Sequence, residues 1–293
     1  QLAERTEQPD PLLAPYVREG IASQSIERGL QALKRIRAGI ALLDADANAA
    51  SAFQFANAAM SLQRVRSLFA EEVRREQKPD INALDIPPNR SWRPFQLFIL
   101  LNLPAMVDPA HADRSAPDPL DSPVDLLWFP TGGGKTEAYL GLTAFTLGIR
   151  RLQRDLGGFD GAGAGVAVIM RYTLRLLTLQ QFQRATALIC ACEALRREAP
   201  GVWGDEPFRI GLWVGARSTP NYTEASAEAV AQAHGGRFYG SGGTPIQLKT
   251  CSWCGSPIHP GRNIRVETIS EGVGRTLQYC SDAFGECPFG ERR

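Results

Sequence analysis

Seven residues constrain this chain more than any others: Pro130-Thr131-Gly132-Gly133-Gly134-Lys135-Thr136. The apolar run Val124-Asp125-Leu126-Leu127-Trp128-Phe129 precedes them, and Glu137-Ala138-Tyr139-Leu140 opens a helical pattern behind them. The order is strand, glycine loop, lysine, hydroxyl, helix. Glycines lack a Cβ, so backbone N–H groups can converge on phosphate oxygens, and a helix N-terminus adds partial positive charge. In such a loop Lys135 reaches the β- and γ-phosphates of ATP, and the Thr136 hydroxyl ligates Mg²⁺. These two carry the catalytic roles, and Thr131, Gly132, Gly133, Gly134 and Glu137 complete the cradle. The general pattern has a glycine six residues before the lysine, where this chain has Phe129. An ordinary glycine turn is the competing reading, and the flanking strand and helix favour the nucleotide.

The rest of the chain falls into three parts. Residues 1–86 form a helical accessory region. Ile21, Ile26, Leu30, Leu33, Ile36, Ile40 and Leu43 recur at helical spacing, and Phe53, Phe55, Ala59, Leu62, Val65 and Phe69 resume it after Asp44-Ala45-Asp46, which predicts two antiparallel helices. Residues 87–250 hold the glycine loop. Pro87-Pro88-Asn89-Arg90 is a linker, and 107–123 reads as a surface loop. A glycine-rich turn at 157–165 leads into Val166-Ala167-Val168-Ile169-Met170, a short apolar run suited to a strand buried on both faces. A helix over 174–197 follows, then a third strand candidate at 208–214. Strands alternating with helices predict an α/β fold with a parallel sheet. Residues 251–293 form a cysteine module.

Ligands of parallel sheets bind beyond the carboxyl ends of the strands. Three segments belong there. Gln96 carries an amide able to pair with an adenine edge, and Phe95 or Trp92 can stack on the base. Arg171, Tyr172, Thr173 and Arg175 sit at a strand-to-helix junction suited to nucleic-acid phosphates, as do Gly215 and Arg217 after the third strand. The bland alternatives are core anchoring for the aromatics and a salt bridge for Arg175.

Trp92-Arg93-Pro94-Phe95-Gln96, Phe129 to Thr136 and Met170 to Arg175 resemble the Q-motif, motif I and motif Ia of superfamily 2 helicases. The runs Leu126 to Leu142 and Arg171 to Arg184 are most similar to the DrmA family, the large helicase subunits of DISARM anti-phage systems. The likeness extends over most of the chain from Arg35 onward. It implies a RecA-like P-loop parallel sheet, with 87–250 as the first ATP-binding lobe, an N-terminal helical region and a zinc-ribbon-like insertion. It also implies an ATP-driven motor on DNA, working with a second protein subunit in bacterial defence. One departure matters. Hydrolysis in that superfamily needs an Asp-Glu pair after a strand to hold Mg²⁺ and orient water. The single pair here, Asp205-Glu206, follows Gly201-Val202-Trp203-Gly204 and reads as a turn. The chain is therefore expected to bind ATP without turning it over alone. The competing functions are a non-motor P-loop protein and a zinc module that docks nucleic acid or a partner.

Cys251-Ser252-Trp253-Cys254-Gly255 is a tight knuckle, and Cys280 and Cys287 form a wider second pair. The intervening stretches 264–268 and 275–279 can pair as a hairpin. These four thiols predict a structural Zn²⁺ site, with disulfides the alternative and His259 a conceivable substitute ligand. Cys190 and Cys192 lie in an apolar run and read as core residues.

Composition excludes little. The net charge of +1 provides no global attraction to nucleic acid, so any contact must be local. No run of 18 apolar residues predicts a membrane span, and the polar start, Gln1-Leu2-Ala3-Glu4-Arg5, is not that of a signal peptide. The expected setting is the cytoplasm, and the missing initiator Met suggests a piece of a longer protein.

Overall fold

Asp46 splits the N-terminal helical pattern. Its backbone is extended (φ −119°, ψ 109°), and its carboxylate accepts a hydrogen bond from the Ala49 N–H at 2.9 Å. Helix α1 (Ile21–Ala45) ends there and α2 (Ala47–Arg74) begins. Such a cap satisfies an otherwise unpaired amide and contributes about 1 kcal/mol. The computed structural model describes residues 20–108, 110–112, 124–128, 132–155, 163, 165–172, 175–215, 218–234, 243–270, 273–283 and 285–291, and only the backbone of 175–178. The expected loop at 113–123 and most of the glycine-rich turn lie outside the described residues.

Helix α2 organises the core. Its buried stripe is rich in small residues, Ala49, Ala52, Ala56 and Ala59, so neighbouring helices approach closely. After α3 (Phe98–Val107), helices α4 (Lys135–Leu152) and α5 (Arg175–Glu198) both pack on that stripe. Leu140, Phe145 and Ile149 of α4 and Leu188 and Cys192 of α5 fill the interior with Leu103. Burial pushes the Cys190 thiol up to about 12 and Cys192 higher still, as expected of inert core residues. Helix α1 packs chiefly on α3, so the two N-terminal helices do not form the expected antiparallel pair along their lengths.

The expected RecA-like parallel sheet does not form among the described residues. Residues 124–128, 166–170 and 208–214 have no regular secondary structure and no ladder partner. Val124, Leu126 and Trp128 are 91%, 87% and 83% exposed, and Trp213 is fully exposed. The physical reason lies in the helices. In an α/β fold the apolar faces of α4 and α5 would cover a sheet, but here α2 occupies them. Parallel pairing is also non-local, whereas a hairpin closes on itself. The sheet that forms is that hairpin, β1 (Ile264–Ser270) antiparallel to β2 (Val273–Gln278), with Ile264 opposite Gln278. Helix α6 (Thr223–His234) covers it through Val230, Ile258 and Ile264.

Glu193 on α5 anchors the 207–214 segment. Its carboxylate accepts two bonds from Arg196 (2.7 and 2.8 Å), one from Arg197 (2.9 Å) and one from the Phe208 N–H (3.0 Å). Burial pushes its pKa up, but the bonds from Arg196, Phe208 and Arg197 together outweigh burial and hold it below the usual carboxylate range. Glu193→Ala would leave Arg196 buried and unpaired, and is expected to destabilise the fold by about 3–5 kcal/mol in urea denaturation. Because the folded pKa is depressed, this stabilisation is present above the ordinary carboxyl pKa. It is lost as the pH falls through the lowered one. In Glu193→Gln the acid limb of the stability profile should flatten.

Among the described residues no helix is long and apolar enough to cross a membrane.

Candidate functional site

The glycine loop opens α4, and the segment before α3 braces it. Gly134 has φ 103° and Gly132 φ 81°, a left-handed backbone that a Cβ would strain. A Cβ on Gly134 would also come within 3.1 Å of Gln96 Nε2. Gln96 is buried with its amide engaged at both ends. Oε1 accepts the Arg93 N–H at 2.6 Å, and Nε2 donates to the Gly134 carbonyl at 2.8 Å. Arg93 Nη1 donates to the Gly133 carbonyl at 2.7 Å. Gln96 thus ties two chain segments together. Phe95 packs on Gly134. Trp92 lies over Gly141, and its indole N–H donates to Asn57 Oδ1 at 2.7 Å.

These contacts frame a cavity of about 940 Å³, within the usual size of ligand sites. Gln96, Gly132, Gly134, Lys135, Thr136, Glu137 and Tyr172 all line it. Tyr172, expected at a nucleic-acid surface, faces this cavity instead, and burial raises its phenol pKa, with Tyr139 adding to the effect. Arg171 is exposed and does not line the cavity, and Gly215 is exposed in a segment without regular secondary structure. Thr131, Thr173 and Arg217 lie outside the described residues, as does the side chain of Arg175.

Sequence reasoning missed the wall that α2 supplies: Asn57, Met60, Ser61, Gln63 and Arg64. One signal was readable. Gln63 interrupts an otherwise apolar stripe, and it is 5% exposed. Arg184 of α5 was quoted only as part of a resemblance. It lines the cavity and is ion-paired to Glu137. The Asp205-Glu206 pair lies in a bend after Gly204. The Glu206 carboxylate pairs with Arg209, and its carbonyl accepts from Arg151 at 2.7 Å.

A second candidate site lies at the other end of α2. The sulfurs of Cys251, Cys254, Cys280 and Cys287 all lie within 4.8 Å of one another, and all four residues are buried. Cys251 and Cys287 are 3.9 Å apart and Cys254 and Cys280 3.4 Å, too far for disulfides, which need about 2 Å. A tetrahedron with metal–sulfur bonds of about 2.3 Å has edges of about 3.8 Å, so the four thiols fit one Zn²⁺.

The wide second pair has a local explanation. Asp282 Oδ1 accepts the Cys287 N–H at 2.6 Å and closes the loop, and the Asp282 N–H points at Cys280 Sγ (3.2 Å) as that of Trp253 does at Cys251 Sγ (3.4 Å). His259 is exposed and stands outside the cluster. Gly255, at φ 77°, packs against Ala70 and Val73 of α2, where a Cβ would lie 2.8 Å from Val73. Arg66 stacks over Trp253 at 4.4 Å. The module therefore shares the main core instead of standing apart.

No family model matches the chain. It is 44% identical over 205 residues to the DISARM protein DrmA of Bacillus paralicheniformis. This is a DrmA-like chain. The match takes in 68% of its residues but 17% of the relative, so it spans a small part of that protein's length. Both the braced glycine loop and the cysteine cluster are therefore features of a DrmA-like chain.

Proposed function

We propose that this chain is the ATP-binding part of a DNA-dependent motor subunit of the superfamily 2 type, acting in the cytoplasm in an anti-phage defence system. The observation that supports it best is the brace between Gln96, Arg93 and the glycine loop, beside a nucleotide-sized cavity that Lys135 also lines. The likeness to the DISARM protein DrmA supports the defence role and a partner subunit.

On this reading the backbone of 132–136 and Lys135 hold the phosphates, and the Thr136 hydroxyl takes Mg²⁺. Trp92 and Phe95 bound the base. Bound Mg²⁺ would offset charge that develops on the phosphates during transfer. Exposed Arg171, with Thr173, Arg175 and the Gly215–Arg217 loop, would contact DNA. On the same reading Zn²⁺ in the four-cysteine cluster is structural. Because Asp205-Glu206 is committed to a bend, turnover needs an acid from elsewhere.

The test is ATP hydrolysis by the full-length protein with and without DNA. Stimulation by DNA is expected. Saturable ATP binding with no DNA effect would return the chain to a non-motor nucleotide-binding role, and no binding would remove the nucleotide reading altogether.

A further inference from the structure

Helix α2 runs alongside the cavity, antiparallel to α4: Phe55 of α2 packs on Gly148 of α4, while Gln63 and Arg64 share cavities with Glu137 in the first turn of α4. Asn57 is fixed to Trp92 at the base end. Arg64 lies seven residues further on, two turns or about 10 Å along the axis. That places it at the positive N-terminal end of α4, where the loop would gather phosphates.

The other arginines of the cavity are already committed. Arg90 pairs with Asp85 at 3.0 Å, Arg93 bonds the Gly133 carbonyl, and Arg184 pairs with Glu137. Arg64 is exposed and has no hydrogen-bond or ion-pair partner among the described residues. Its recorded electrostatic neighbour is another cation, Arg184. A second cavity, of about 220 Å³, is also lined by Gln63, Arg64, Glu137 and Arg184. On the wall of the larger cavity Arg64, Arg90, Arg93 and Arg184 set four guanidinium groups against the single carboxylate of Glu137 among its lining residues. An anion with several charges balances such a set, and a guanidinium fork grips phosphate oxygens in pairs.

We infer that Arg64 is a phosphate contact for the bound nucleotide, delivered in cis by the helical region and directed at the terminal phosphates. This rests on the nucleotide reading above. It makes the N-terminal helices part of the ATP site instead of an appendage to it.

The test is calorimetric titration of full-length protein with ATP and with AMP, comparing wild type, Arg64→Ala and Arg64→Lys. Arg64→Ala should bind ATP about tenfold or more weakly, with AMP affinity and melting temperature unchanged. Arg64→Lys should recover part of the loss. If Arg64→Ala binds ATP as tightly as wild type, the contact does not exist. An equal loss of ATP and AMP affinity, or a lowered melting temperature, assigns Arg64 a structural role and also overturns the inference. If the unaltered protein binds no ATP, the underlying nucleotide reading fails and this contact fails with it.

Discussion

Lys135→Ala in the full-length protein is expected to reduce DNA-stimulated ATP hydrolysis by about a hundredfold or more, with little change in melting temperature. The two halves of that expectation have separate grounds. Lys135 is the first residue of α4, directly after Gly134, and it lines the cavity that the Gln96 and Arg93 brace holds open. A positive charge fixed beside the transferred phosphate stabilises charge that grows during reaction, and losing it slows the step far more than it weakens the fold. The side chain is half-exposed and alanine is a good helix former, so α4 should persist. Phosphate release under saturating DNA reads the effect. Hydrolysis within a few-fold of wild type would mean that this loop is not the phosphate cradle.

If the four-cysteine cluster holds Zn²⁺, as proposed, removing the ion should affect stability as strongly as Lys135→Ala affects chemistry. Cys254→Ser, or prolonged chelation, is expected to lower the melting temperature by roughly 10 °C or more. The four thiols belong to the main core cluster together with Trp253. Without an ion the thiols would keep only weak S–H contacts with one another in place of four metal–sulfur bonds. The disturbance would not stay local, because Gly255 rests on Ala70 and Val73 and Arg66 stacks on Trp253. Helix α2 would loosen from its C-terminal end. Scanning calorimetry and metal analysis of the same sample check this together. Less than about one Zn²⁺ per chain, or an unchanged melting curve, would dismiss the metal.

How much of this was legible in the sequence depended on how local each signal was. The helix break at Asp46, the start of α4 after Gly134, the hairpin and the cysteine cluster were all readable, because each rests on a cap, a glycine or a fixed spacing. The parallel sheet was inferred from apolar runs, and those runs pair in no ladder among the described residues. Pattern alone could not show that α2 covers the faces of α4 and α5 on which a sheet would pack. The site was legible in the same measure. Lys135, Thr136 and Gln96 of the cavity wall stand out by motif, whereas Gln63, Arg64 and Arg184 reach it through packing between helices far apart in sequence. Gln96 shows the limit of a motif. Its amide suggested a ligand contact, but in the structure it bonds the backbone of the loop it supports. The six-residue gap between Cys280 and Cys287 looked like a weakness until Asp282 was seen closing it.

The unladdered stretches at 124–128, 166–170 and 207–214 have a practical consequence. Each presents an edge outside any ladder among the described residues, beside tryptophan, valine or isoleucine side chains open to water, although the Phe208 N–H is bonded to Glu193. Such edges recruit whatever strand arrives first, including one from a neighbouring molecule. Handled in isolation at high concentration, the chain will tend to self-associate through them, and stretches of protein that supply matching strands will act as its solubilisers.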